Sequence, residues 1–480
     1  MSAGTFTRAR RAAGAWPLFV VTGLAGFMTT LDNTVVTVAL PSIRRDLGAR
    51  LAELEWVATG YILTFAGLML AGGRLADVHG HRRVLLAGLA TFTAASLGAG
   101  LADSIQALVA ARLVQGAGAA MILPATLAVL AGREERQRSM GVAVWMASGA
   151  AALALGPVVG GYLSQHAHWT WVFLINVPMG AAVMALAAVT VPPGHGAERG
   201  PGVARRGSVR SSGVAGREGV WGSGAAGRSL DVGGVVASGV FLGAGTFALI
   251  HGGEYGWTSP AVVAALGLCV GGGVGFVVAE RRAGEPMVDP GLFAVRSFAG
   301  GVAAQVLWGL GVNGVFFYTA IFLQGVLGFT PTASGLAFVP LALLVVLVTP
   351  LAPWVERRLG AGRTVAAGLV LVAGGMALAA TLEAGDGWGR LLPAVCAIGV
   401  GSALTMPLGS AVLGAVPESR AGVAGGIFSV SREISGLFGI AAVGVIVHGA
   451  GNFAAGYAAG LLVAAGLVLA GALISLATLP

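Results

Sequence analysis

The chain has 480 residues, 56% of them apolar and 10% charged, with a mean hydropathy of +0.86. That balance is too greasy for a soluble domain, and it excludes disordered, collagen-like and disulfide-framework classes. The formal charge is +8, with 28 arginines and no lysine, and the two cysteines, Cys269 and Cys396, lie inside apolar runs without metal-ligand spacing.

A hydrocarbon core of about 30 Å takes roughly 20 helical residues at about 1.5 Å each. Apolar runs of that length, punctuated by Arg, Pro or Gly, recur fourteen times. In chain order they predict transmembrane helices over 15–40, 54–74, 83–102, 105–130, 139–163, 170–191, 232–252, 260–280, 298–323, 333–354, 363–382, 389–414, 421–448 and 453–478. The start, TRARRAAGAWPLFVVTG, has the basic opening of a signal peptide, but its apolar run continues without a small-residue cleavage site, so a retained first span is expected.

The arginines set an orientation. With the N-terminus inside, 22 of the 28 fall in cytoplasmic segments, four (Arg44, Arg45, Arg50, Arg390) fall outside, and Arg112 and Arg432 fall within spans. The protein is therefore expected in the cytoplasmic membrane with both termini in the cytoplasm. Topology accounts for the basic charge, and no nucleic-acid partner is needed. Residues 192–231, rich in Gly, Ser and Arg, read as a flexible cytoplasmic linker. The expected organisation is an N-terminal six-helix bundle (1–191), that linker, two inserted helices (232–297) and a C-terminal six-helix bundle (298–480).

The halves echo each other. GGRLADVHGHRR after the second run places Asp77 before Gly80 and the Arg82, Arg83 pair; APWVERRLGAGR after the tenth places Glu356 before Arg357, Gly360 and Arg363. Parallel repeats of this kind mark transporters.

The motifs LDNTVVTVALP, GYILTFAGLMLAGGRLADVHGHRR, ARLVQGAGAA, GPVVGG, WTWVFLINVP and LQGVLGFTPTASGLAFVP occur in that order over nearly the whole chain. Together they resemble the major facilitator superfamily, and within it the fourteen-helix drug/proton antiporters. The resemblance implies an all-α integral membrane protein, proton-coupled export of small lipophilic or cationic compounds such as antibiotics, and no cofactor beyond the proton gradient. Its partners are then a small-molecule substrate, protons and the lipid bilayer, and it works as a monomer.

Asp32 and Glu433 read as the two acids well inside spans, and an ionisable group at such depth is a functional candidate by default. A buried carboxyl beside a movable charge can bind and release a proton during a cycle. The alternative is that Asp32 lies near the outer end of its span, hydrated or bonded to Asn33 or Thr34. An always-charged Arg112 within a span needs carboxylate, carbonyl or water partners. In families with this pattern the Arg is tied to the acid on span 1, so Asp32 and Arg112 form the expected relay, with Gln115 as polar neighbour. A buried arginine that merely fastens helices is the alternative.

Gly149, Gly156, Pro157, Gly160 and Gly161 match the antiporter motif of span 5, a small-residue face expected to make a kinked interface between halves. Gly73, Asp77, Gly80, Arg82 and Arg83 match the gating loop, where the resemblance has Asp77 face a helix N-terminus and the arginines clamp the opposite half. Val78 and His81 depart from its usual basic residues, and Thr170 stands where Arg is usual, so an outer-mouth contact is expected to be missing. Arg432 and Glu433 point about 100 degrees apart on a helix, so they are expected to meet different neighbours. Glutamine is usual at the place of Glu433, which is then either a second proton or cation site or a carboxylate held by a nearby Arg.

Tyr61, Trp145, Trp308, Asn313, Phe316, Gln324 and Asn33, with Gln115, are the candidate substrate contacts, since aromatic faces take flat or cationic molecules. Packing and interfacial anchoring compete for each aromatic. No phosphate-binding loop, dinucleotide fingerprint, nucleophile elbow or metal-ligand spacing of the seven histidines argues for an enzyme. A dedicated exporter of one metabolite, with Glu433 reading a specific group, and a non-transporting membrane sensor remain as alternatives.

Overall fold

The computed structural model describes residues 16–192, 232–282, 288, 290–417 and 420–480. The expected linker from 193 onwards and the basic N-terminal residues Arg8, Arg10 and Arg11 lie outside the described residues. Among those described the chain is all-helical, and fourteen helices are long and apolar enough to cross a bilayer.

We number them by span: α1 (Trp16–Leu47), α2 (Leu51–His79), α3 (His81–Gly100), α4 (Ile105–Ala131), α5 (Glu135–His166), α6 (Trp171–Thr190), α7 (Val232–Tyr255), α8 (Pro260–Arg282), α9 (Arg296–Gly325), α10 (Pro331–Leu359), α11 (Ala361–Ala379), α12 (Trp388–Gly414), α13 (Ala421–Gly449) and α14 (Phe453–Thr478). Each covers one expected run. α1 and α5 are longer than their runs, at 32 residues each, and pass through Pro41 and Pro157 without breaking. Prolines do interrupt α10, which turns to a 3-10 segment at Thr349–Leu351, and α12, which restarts at Pro407 after Leu404.

Helices that are apolar all round pack by close backbone approach at glycine. A Cβ on Gly72 would stand 2.1 Å from the Ala120 carbonyl oxygen, so α2 and α4 touch along their backbones there. α1–α6 pack among themselves, as do α9–α14. α7 lies against α2 and α13, one helix from each group, and α8 packs on α7.

The echo in the sequence is an echo in the backbone. Gly80 (φ 90°) and Gly360 (φ 83°) each end one helix and begin the next, and each donates its N–H back to residue i−4, at 3.0 Å to Ala76 and 2.8 Å to Glu356. A side chain is strained at that φ, which is why both turns carry glycine.

The two groups meet most closely at the end that holds Arg50. There α5 lies on the first segment of α10: a Cβ on Gly161 would stand 2.3 Å from the Pro331 carbonyl oxygen, and one on Gly335 would stand 2.1 Å from that of Pro157. The Thr332 N–H donates to Gln165 Oε1 at 3.0 Å, and Gln324 Nε2 of α9 donates to the Val38 carbonyl of α1 at 2.9 Å. At the opposite, Gly80 end, Arg82 donates to the Ala188 carbonyl of α6, within its own group of helices. The expected clamp of Arg82 on the opposite half is therefore corrected: its guanidinium finishes the unpaired carbonyl end of α6. Arg83 and Asp77 are exposed.

Candidate functional site

The buried centre of α1–α6 is polar. Asp32 of α1 and Arg112 of α4 are both fully buried, and Arg112 Nη1 donates to Asp32 Oδ2. The same nitrogen donates to Gln115 Oε1 at 2.7 Å, and Arg112 Nε donates to the Val57 carbonyl of α2 at 2.9 Å. Gln115 Nε2 then donates to Asp32 Oδ1 at 2.7 Å and to Ser96 Oγ of α3 at 2.8 Å. Asn176 Nδ2 of α6 adds a third donor to Asp32, at 2.7 Å to Oδ1. Tyr61 closes one side, with the guanidinium carbon 4.4 Å from its ring centroid.

Five helices thus converge on one carboxylate. A charge in a dry interior is tolerated when it is paired and its lone pairs are filled. The carboxylate has a cation and two amide donors. Arg112 Nη2 and Asn176 Oδ1 are buried without a hydrogen-bond partner, so the network is one donor and one acceptor short of closed. Asp32 sits mid-helix in α1, away from its end, and it bonds neither Asn33 nor Thr34: Thr34 donates to its own helix and to the Ala152 carbonyl of α5 at 3.4 Å.

Asn176 and Ser96 are missing from the sequence reading. Asn176 was legible as the single amide in the apolar run WVFLINVP; Ser96 had no signal beyond being a hydroxyl in a span. A larger correction concerns acids: Glu55, near the start of α2, is fully buried, so Asp32 and Glu433 are not the only carboxylates inside spans.

The structure also separates what the sequence grouped. Among the candidate substrate contacts, Trp145 is wedged on α1, where a Cβ on Gly26 would stand 2.8 Å from its Nε1. Phe316 packs on Phe338 with ring centroids 4.6 Å apart, and Asn313 donates to the Gly309 carbonyl of its own helix at 3.0 Å. Gln324 is engaged in the closure described above. Asn33 and Trp308 are half-buried, and the Trp308 Nε1 has no hydrogen-bond partner.

Arg432 and Glu433 pair with each other, Nη2 to Oε1 at 3.0 Å, which corrects the expectation of separate neighbours. Their Cα–Cβ bonds diverge, but the long arginine side chain curls back. Glu433 is the better covered of the two.

In the span-5 motif, a Cβ on Gly156 would stand 1.8 Å from Thr34 Oγ1 and one on Gly160 2.5 Å from the Val35 carbonyl oxygen. Those two glycines seat α5 on α1, whereas Gly161 and Pro157 face α10. Gly149 meets only Thr30, at 4.0 Å. In the gating-loop motif, Gly73 stands in ordinary contact with Pro124, and its neighbour Gly72 makes the close approach. Thr170 Oγ1 lies 3.2 Å from His168 Nδ1, and beside it Trp169 Nε1 donates to Asp46 Oδ2 at 2.6 Å.

Comparison with known proteins places this architecture. Residues 22–440 match the family model described as Major Facilitator Superfamily. The chain is 36% identical to the cephamycin export protein CmcT of Amycolatopsis lactamdurans, over 93% of this chain and 87% of that protein. It is 33% identical to the multidrug resistance protein Stp of Mycobacterium tuberculosis, over 89% of this chain and 75% of that protein. Its fold matches a crystal structure of the peptide transporter POT in complex with sulfate, with a TM-score of 0.68 at 14% identity, covering 97% of this chain and 94% of that one. Fourteen apolar helices in two packed groups, glycine turns repeated between them and a family match over most of the length make the chain a member of the major facilitator superfamily.

Proposed function

We propose that this protein exports small lipophilic or cationic compounds across the cytoplasmic membrane in exchange for protons, with Asp32 as the proton-carrying group. The observation that carries the reading is the wholly buried Asp32, held by Arg112, Gln115 and Asn176 with no shell of exposed polar groups around it. A carboxyl kept at this depth acts as a site for a transported charge.

The geometry supports a simple sequence. Ionised, Asp32 neutralises Arg112 and draws α1, α4 and α6 together. A proton added to Asp32 removes that charge balance, leaving a guanidinium whose remaining partners are Gln115, the Val57 carbonyl and the Tyr61 ring. The two protonation states thus favour different packings of α1 against α4, which lets proton uptake and release bias a two-state rocking movement. A cationic substrate competes with the proton for the same negative charge, and Glu433 across the interface adds to that attraction.

The arginine distribution supports a cytoplasmic Gly80 end and an external, closed Arg50 end. The described arrangement is then the one that loads substrate from the cytoplasm.

The test is transport in proteoliposomes with ethidium and a panel of antibiotics, with and without an imposed pH gradient. Gradient-driven flux in the wild type, lost in Asp32→Asn, is expected. Gradient-independent flux, or unchanged coupling in the variant, overturns the reading. A narrower reading, export of one compound, draws on the relative named for cephamycin; it predicts flux of a single panel member.

A further inference from the structure

A second buried polar cluster lies at the closed end. Glu55 of α2 is fully buried, yet no arginine pairs with it among the described residues. Its Oε1 accepts from the Tyr318 hydroxyl of α9 at 2.6 Å and lies 3.4 Å from His448 Nε2 of α13. Its Oε2 is buried with no hydrogen-bond partner. α13 has a glycine opposite: a Cβ on Gly444 would stand 2.9 Å from both Glu55 oxygens and 2.6 Å from the Tyr318 oxygen. The carboxyl therefore occupies a fitted slot between the two halves.

The other titratable groups around it are already committed. Arg50, before α2, pairs with Glu254 of α7 and with Glu53 at 3.4 Å. His251 of α7 accepts from Trp56 Nε1 at 3.2 Å through its Nε2, so its Nδ1 carries the hydrogen given to Glu254 at 3.1 Å. His448, with 17% of its side chain exposed, is the partner of Glu55 that reaches the surface among the described residues.

We propose that Glu55, with Tyr318 and His448, is a second proton-binding site of the transport cycle, whose occupancy from the Arg50 side holds that end of the molecule shut. A proton from solution passes by way of His448, whose Nε2 stands 3.4 Å from Oε1, onto the carboxyl, turning the carboxylate into a neutral acid that keeps its contact with the Tyr318 hydroxyl. In that form the seam between α2, α9 and α13 buries no net charge. When the proton leaves, a bare carboxylate remains in a dry seam, and it is stabilised only if the halves part and admit water. External protons thus favour closure after substrate release, the sense that exchange of a proton for a drug requires. This inference rests on the reading of proton-coupled export, but its test needs no substrate.

Spin labels at His166→Cys on α5 and Gly325→Cys on α9, in a background with Cys269→Ala and Cys396→Ala, report the width of the closed end in lipid nanodiscs. The distance distribution is followed against pH by pulsed electron resonance. The wild-type background is expected to shift from short to long distances as pH rises. Glu55→Gln, which keeps the acceptor for Tyr318 without a titrating proton, is expected to stay short at every pH. Asp32→Asn is expected to keep the shift. Tyr318→Phe, which loses the hydroxyl but keeps the carboxyl, is expected to move the midpoint by at least about one pH unit, and it serves if Glu55→Gln fails to fold. A wild type that does not respond to pH, or a Glu55→Gln or Tyr318→Phe curve that overlays it, overturns the proposal. Loss of gradient-driven flux in the wild type would overturn the export reading instead, and that result is obtained separately.

Discussion

Gly161 of α5 and Pro331 of α10 touch backbone to backbone, with room for no side chain between them: a Cβ on Gly161 would meet the Pro331 carbonyl oxygen at 2.3 Å. Because that oxygen is main chain, it cannot swing aside. Gly161→Ala is expected to cost the closed arrangement about 1–3 kcal/mol, as other overpacked contacts do, and so to shift the population toward the open form by about five- to 150-fold. Gly149→Ala, at a position with no close neighbour, should change nothing. Cysteine accessibility at Gln165→Cys in each background reads the difference.

Asp32→Asn leaves Arg112 buried without its counter-ion. Removing one partner of a buried pair costs about 3–5 kcal/mol, so a lower unfolding temperature is expected along with lost coupling. The double variant Asp32→Asn with Arg112→Gln should recover most of that stability and none of the coupled flux. If stability and flux return together, Asp32 is a fastener and carries no proton.

Gly80 and Gly360 are both held at positive φ with extended ψ, a region open to glycine almost alone. Alanine at either turn is expected to destabilise by about 1–3 kcal/mol. Asparagine should not rescue, since the backbone is not in the left-handed helical well that Asn tolerates. Denaturation of the single variants, followed by circular dichroism, gives the comparison.

Glu433 is covered and paired to Arg432, which is itself mostly exposed. A pair so open to solvent is weak, worth about 0–1 kcal/mol, so Glu433→Gln should leave stability nearly unchanged. Its effect is expected on selectivity: weaker transport of cations and unchanged transport of neutral compounds. Parallel loss of both classes would assign Glu433 to the cycle itself.

The spans and their order were legible because a bilayer demands runs of a fixed length, and Asp32 and Arg112 stood out because charge in such a run is conspicuous. Glu55 did not stand out, lying two turns or less from the start of its helix, where a carboxylate normally reaches water; only the packing of Tyr318 and Gly444 over it makes the site dry. Gln324 and Arg82 failed for a related reason. Both side chains are long enough to bond a backbone carbonyl on a neighbouring helix, and which carbonyl comes within reach is a matter of tertiary packing that no local pattern records.

α7 is held to α2 and to α13 by unlike means. Toward α2 it has directional bonds, with Trp56 to His251 and Arg50 to Glu254; toward α13 it presents glycine and rings, with Gly245 set against Phe438 and Phe241 edge-on to the same ring. Bonds of the first kind keep their register, whereas smooth apolar faces slip. If the two groups of helices rock as proposed, α7 and α8 are expected to travel with α2, while α13 slides along α7 as along a greased rail.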